Sequence, residues 1–209
     1  MDGHGVEGVR AAFSEATAVS PTQVDTLSLS NGDVVLLVDV LDDFAHEHGE
    51  DLLRSLAERH EKLTALLSEA RERGVPIVYA NDTKGQWNSD VRELVRRALA
   101  GPGGDLIRAL VPESGERFVT KPRYSAFDHT PLELILEELD CEHLFIAGMT
   151  TEGCVAQSAI AARERGLKVS VVAEACAAVN PVHEETALRY LVDVVGVRLA
   201  EVEIDTPRR

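Results

Sequence analysis

Apolar positions along this chain fall into two patterns that alternate. One is the short continuous run, of which Val34-Val-Leu-Leu-Val38 is the clearest. A run without polar interruption fits a strand covered on both faces. Similar runs at residues 76–80, 117–120, 143–147, 167–172 and 197–202 predict five further strands. The other pattern is helical spacing, with Leu53, Leu56, Ala57, Leu63, Leu66, Leu67 and Ala70 recurring through residues 50–74. Gly74 reads as the stop of that helix. Residues 90–99, 105–110, 152–166 and 183–192 predict helices too, with Gly101-Pro-Gly-Gly104 as a break. Another helix opens at Thr130-Pro131, with Thr130 as cap and Pro131 in the first turn. Strands and helices in strict alternation imply an α/β, three-layer doubly wound sheet of six mostly parallel strands, Rossmann-like in plan. Residues 1–30 show no clear period and are expected to form an N-terminal extension outside the main fold. Residues 31–209 read as a single domain.

Composition narrows the function more than the fold. The length of 209 residues, 44% hydrophobic and 27% charged, suits one globular α/β domain. No apolar stretch is long enough to span a bilayer, and no basic start with an apolar signal core is present, so a cytoplasmic location is expected. A formal net charge of −15 repels nucleic acid and anionic membranes. A small-molecule partner is expected instead, since a pocket can be locally positive. Cys141, Cys154 and Cys176 are odd in number and lack CxxC spacing, against a disulfide framework or a zinc ribbon. Cys141 and Cys176 read as packing residues.

Three candidate residues each follow an apolar segment: Asp39, Lys121 and Cys154. Singly they suggest a turn former, a solvated charge and a packing thiol. In a parallel sheet all three meet on the rim at the carboxyl ends of the strands, where such folds carry their chemistry. Cys154 falls near the first turn of a helix after a buried strand. Unpaired N–H groups and the helix dipole there favour a thiolate and can hold an oxyanion. A carboxylate alone would disfavour that thiolate. Asp39 therefore makes sense as a proton acceptor only with Lys121 near it, and the three groups should titrate as a coupled set.

Val38-Asp-Val-Leu-Asp-Asp-Phe44, Lys121-Pro-Arg-Tyr-Ser-Ala-Phe127 and Gly148-Met-Thr-Thr-Glu-Gly-Cys-Val155 resemble the three signature blocks of the isochorismatase-like cysteine hydrolases, in order and approximate spacing. Residues 166–177 resemble that family too, and the likeness spans roughly residues 31–203. The resemblance implies that Asp39 is the general base, Lys121 holds it and favours charge separation, and Cys154 forms a thioester. It also implies an oxyanion hole of the Thr150 and Cys154 backbone N–H groups, with a cis Met149–Thr150 peptide turning the Thr150 N–H toward substrate. Family members are commonly homodimers or tetramers, so a homo-oligomer is expected.

The chain departs from the family pattern in places. Leu41 stands where Gln is frequent, and Glu174 where Asp is common, in a supporting or capping role. Asp82 is kept from the metal site of the nicotinamidase branch, but Lys84 replaces His and no His follows nearby. One carboxylate and a lysine do not make a transition-metal site. No metal or other cofactor is therefore expected. His46 and His48 lie in an acidic loop and read as exposed. The expected pocket walls are Phe44, Asn81, Trp87, Tyr124 and Phe127, with Trp87 alternatively burying an oligomer contact. Arg123 binds a substrate carboxylate or forms a surface ion pair. True isochorismatases usually lack the cysteine, so Cys154 favours small-amide or related C–N hydrolysis over vinyl ether hydrolysis. A non-catalytic redox or ligand-binding role is a third reading, against which the intact Asp39 and Lys121 speak.

Overall fold

The computed structural model describes residues 24–83 and 90–203. Seven strands form one parallel sheet. They are β1 (Val24–Thr26), β2 (Asp33–Val38), β3 (Ile77–Asp82), β4 (Arg117–Lys121), β5 (His143–Met149), β6 (Lys168–Ala177) and β7 (Arg198–Glu201). Their spatial order is β1-β7-β6-β5-β2-β3-β4. The helices between them are α1 (Gly49–Arg73), α2 (Val91–Ala100), α3 (Gly104–Ile107), α4 (Leu132–Glu138), α5 (Ala156–Glu164) and α6 (Pro181–Tyr190). None of the helices described is long and apolar enough to cross a membrane.

The middle of the sheet follows from the apolar runs. Every residue of β2 is buried, as is all of β5 after His143. α1 lays Leu52, Leu56, Leu63, Leu66, Leu67 and Ala70 into the core, then ends at Gly74 in the left-handed conformation (φ 67°). From β2 the chain runs outward through β3 and β4. From β5 it runs the opposite way through β6 and β7. The neighbouring strands β2 and β5 therefore flank the point where the winding reverses, and a crevice opens there at their carboxyl ends. Val38 pairs with Gly148 across that point. Gly148 has φ +123°, and a Cβ on it would lie 2.1 Å from the Val38 carbonyl oxygen, so only glycine fits.

The seventh strand lies within the segment expected to stand outside the fold. Val24–Thr26 pairs with Leu199–Glu201 in register at the sheet edge, and Leu27 and Leu29 then enter the core. Three largely exposed residues at an edge leave no hydrophobic period to read. β6 also runs to Ala177, beyond the expected 167–172, through a register shift opposite Ile146–Gly148. α6 starts two residues early because Asn180 caps it, its Oδ1 accepting from Val182 and His183 N–H, with Pro181 at the first turn. The helix expected over 152–166 opens as a wider π-type turn, Thr151–Val155, before α5.

Candidate active site

Asp39 follows β2 with φ 53°, a left-handed conformation that Asp tolerates better than most residues. Its backbone N–H is held by the Ala80 carbonyl, and its Oδ1 accepts from the Asp82 N–H at 2.6 Å. Lys121 ends β4 paired with Asp82, which points its side chain along the same rim. Its Nζ reaches Asp39 Oδ2 at 2.7 Å and Cys154 Sγ at 3.3 Å, and donates to the Arg123 carbonyl at 3.0 Å. The lysine side chain is 0% exposed and that of Asp39 is 14% exposed. Cys154 comes from the turn after β5, accepts from Lys121 and lies in the field of Asp39. Three side chains from positions 39, 121 and 154 thus meet at the switch point.

Their electrostatics differ from the expectation of a favoured thiolate. Burial pushes the Cys154 thiol up to about 12, Asp39 reinforces that, and Lys121 opposes it. Burial also lifts the Asp39 carboxyl above its ordinary value, against Lys121, the thiol and the Asp82 N–H. Burial works to lower Lys121, but Asp39 and Cys154 hold it above its usual range. Desolvation and a neighbouring carboxylate outweigh the helix start and the ammonium. The resting arrangement is a protonated thiol beside a carboxylate–ammonium pair.

Asp39 and Cys154 open on a cavity of about 460 Å³ whose wall includes Asp42, His46, Asn81, Asp82, Tyr124, Met149 and Thr150, with Lys121 enclosed behind them. Tyr124 stands at the rim, 64% exposed. Asn81 lines the cavity, but its amide accepts from Leu41 N–H and donates to the Leu41 carbonyl, so it fastens that loop. The Met149–Thr150 peptide is cis, and the Thr150 carbonyl accepts from Gly153 and Val155 N–H. Cys154 N lies in the turn that starts at Thr151.

Two expected wall residues lie elsewhere. Phe44 is buried against Gly103, where a Cβ would come within 2.4 Å of its ring. Phe127 lies in a different place, and the preceding Ala126 N–H donates to Ser158 Oγ of α5. Its ring stacks under the Arg165 guanidinium at 4.7 Å, in a separate cavity of about 170 Å³ shared with Leu136 and Cys141. Trp87 and Lys84 lie outside the described residues. The Arg123 side chain is exposed, and only its carbonyl touches the trio. Glu174 pairs with Lys62 of α1 at 2.8 Å and does not cap a helix. His46 and His48 are exposed as expected, yet His46 also borders the cavity, its Nε2 3.5 Å from Asp42 Oδ1. That pair went unread, although an i,i+4 Asp–His spacing was its signal. Cys141 and Cys176 are pushed up to about 11 and about 12 by burial, as suits packing thiols.

The isochorismatase domain, as a family pattern, matches residues 33–202. An uncharacterised isochorismatase family protein, YaaI of Bacillus subtilis, is 27% identical over 169 residues, covering 81% of this chain and 93% of that one. Ureidoacrylate amidohydrolase RutB of an Enterobacter species is 43% identical, over 65 residues only, or 30% of this chain and 28% of that one. Among solved structures, the nicotinamidase/pyrazinamidase PncA of Bacillus subtilis superposes with a TM-score of 0.66 at 26% identity, covering 81% of this chain and 99% of that one. A pattern matched across four-fifths of the sequence, on a shared fold, places this chain in the isochorismatase-like hydrolase family.

Proposed function

We propose that the protein is an amidohydrolase that cleaves a small amide or related C–N bond through a thioester at Cys154. The observation that carries this reading is the buried Lys121 ammonium, seated between the Asp39 carboxylate at 2.7 Å and the Cys154 sulfur at 3.3 Å, behind the cavity that Asp39 and Cys154 line. The amidohydrolase names of RutB and PncA support the bond class.

Asp39 takes the thiol proton as Sγ attacks the carbonyl carbon, and Lys121 stabilises the charge left on sulfur. The backbone N–H groups of Thr150 and Cys154 hold the oxyanion. The C–N bond breaks, and Asp39 passes its proton to the leaving nitrogen. Water then adds to the thioester carbonyl and gives a proton to Asp39. The C–S bond breaks, the acid leaves, and Asp39 returns the proton to sulfur. A protonated thiol at rest suits this sequence, because the base and the thiol share Lys121 and lie side by side. The substrate is a small molecule, and the working form is a homodimer or tetramer.

An ammonia-release screen over small amides, followed by intact mass of the trapped acyl-enzyme, tests this. The expected result is a mass adduct on Cys154 and a loss of about 10⁴-fold or more in rate for Cys154→Ala. A Cys154→Ala protein that kept the full rate on such an amide would refute it. Hydrolysis of a vinyl ether that survives alkylation of Cys154 would favour Asp39 as an acid acting without the thiol.

A further inference from the structure

Glu184 is the one buried residue of α6, and it is a carboxylate. A helix that buries a single side chain ordinarily buries an apolar one. Oε2 takes Arg59 Nη2 of α1 at 2.7 Å, and Oε1 takes the hydroxyl of Thr151 at 3.1 Å. Thr151 is 0% exposed, follows Thr150 and opens the turn that carries Cys154. The next residue is tied to the same helix start, because Glu152 Oε1 accepts from Val179 and Asn180 N–H. Arg59 is steadied in turn by Ser55 Oγ at 3.2 Å, and that hydroxyl also accepts from Ala178 N–H. A chain of polar contacts therefore runs from α1 through α6 to the nucleophile's turn. None of its members borders the cavity beside Cys154.

We propose that Glu184, clamped by Arg59, is a positioning residue that fixes the Thr151 hydroxyl and thereby sets where the turn presents Cys154 to Lys121 and Asp39. The proposal rests on the reading of Cys154 as nucleophile. The geometry it needs is tight. Sγ stands 3.3 Å from Lys121 Nζ, and a drift of about 1 Å at such a contact is enough to cost a large factor in rate. The Thr151 hydroxyl has one proton and two acceptors, the Ala177 carbonyl at 3.3 Å and the nearer Glu184 Oε1, whose charge makes it the stronger of the two.

The test measures iodoacetamide alkylation at Cys154 by peptide mass spectrometry, with Cys141 of the same molecule as internal reference. Cys141 lies in the separate cavity beside Phe127, so it reports loosening of the whole fold. Thr151→Val and Glu184→Gln are expected to speed Cys154 alkylation about threefold or more at neutral pH while Cys141 holds, because Sγ leaves the enclosure and the Asp39 carboxylate that together hold its proton. Thr151→Ser, which keeps the hydroxyl, should restore the rate, and Thr151→Val should add nothing in the Glu184→Gln background. An unchanged Cys154 rate, a fall, or parallel changes at Cys141 would each overturn the proposal. The readout needs no substrate, so its failure is separate from that of Cys154→Ala on an amide.

Discussion

Cys154 sits 3.3 Å from a buried ammonium, yet its thiol is pushed up to about 12, since desolvation and the Asp39 carboxylate act together against the charge. Its pH behaviour should show this. Alkylation of Cys154 should keep climbing through pH 9 and 10, with no plateau near the ordinary thiol value of about 8.5. Asp39→Asn removes the repelling charge, so it should speed alkylation at neutral pH while abolishing hydrolysis, two effects of opposite sign from one substitution. Rate-against-pH curves for both proteins decide the matter, and a native plateau near 8.5 would show that the thiol is not held as described. The same shift has a stability consequence. A thiol whose folded value is raised favours the folded state below its ordinary value, and that contribution drains away as pH rises toward about 12. Urea midpoints should therefore decline over that window, and less steeply in Cys154→Ala.

Elements carry the next level of the argument. β2 and β5 approach so closely at Val38 and Gly148 that a single methyl has no room. Gly148→Ala is expected to cost more than about 3 kcal/mol by forcing the two central strands apart, with chemical denaturation as the measure. A variant within about 0.5 kcal/mol of the parent would show that the strands yield easily. These central strands were legible because each is buried on both faces and so reads as an unbroken apolar run. β1 was not, since an edge strand of three mostly exposed residues carries no such pattern. The wide turn at Thr151–Val155 was hidden for another reason, as its residues keep a spacing close to that of the helix they lead into. Asp39, Lys121 and Cys154 could be placed together from strand ends alone. Phe44 and Phe127 misled because an aromatic beside a signature block looks like a pocket wall, whereas its direction depends on contacts such as Ser158 with Ala126. The support from Glu184 was unreadable in principle, since its partners lie 33 and 125 positions away.

For the molecule as a whole, the order of the strands decides where chemistry can occur. Winding outward in both directions from β2 and β5 leaves one crevice, and the trio occupies it. The edge matters to the whole as well. β1 leads Leu27 and Leu29 into the core, so removing residues 1–30 should cost about 3–5 kcal/mol more than removing residues 1–23, from two buried leucines and a bared strand. Equal urea midpoints for the two truncations would mean that the edge strand is dispensable. The enclosure of Lys121 has a last consequence. With ammonium, carboxylate and thiol, the three groups sum to no net charge, and moving the proton from sulfur to oxygen leaves that sum untouched. Added salt can screen the outward field of a chain at −15, and so alter how often a charged substrate arrives. It has little hold on the bond-making step, where the counter-ion is enclosed behind the reacting sulfur.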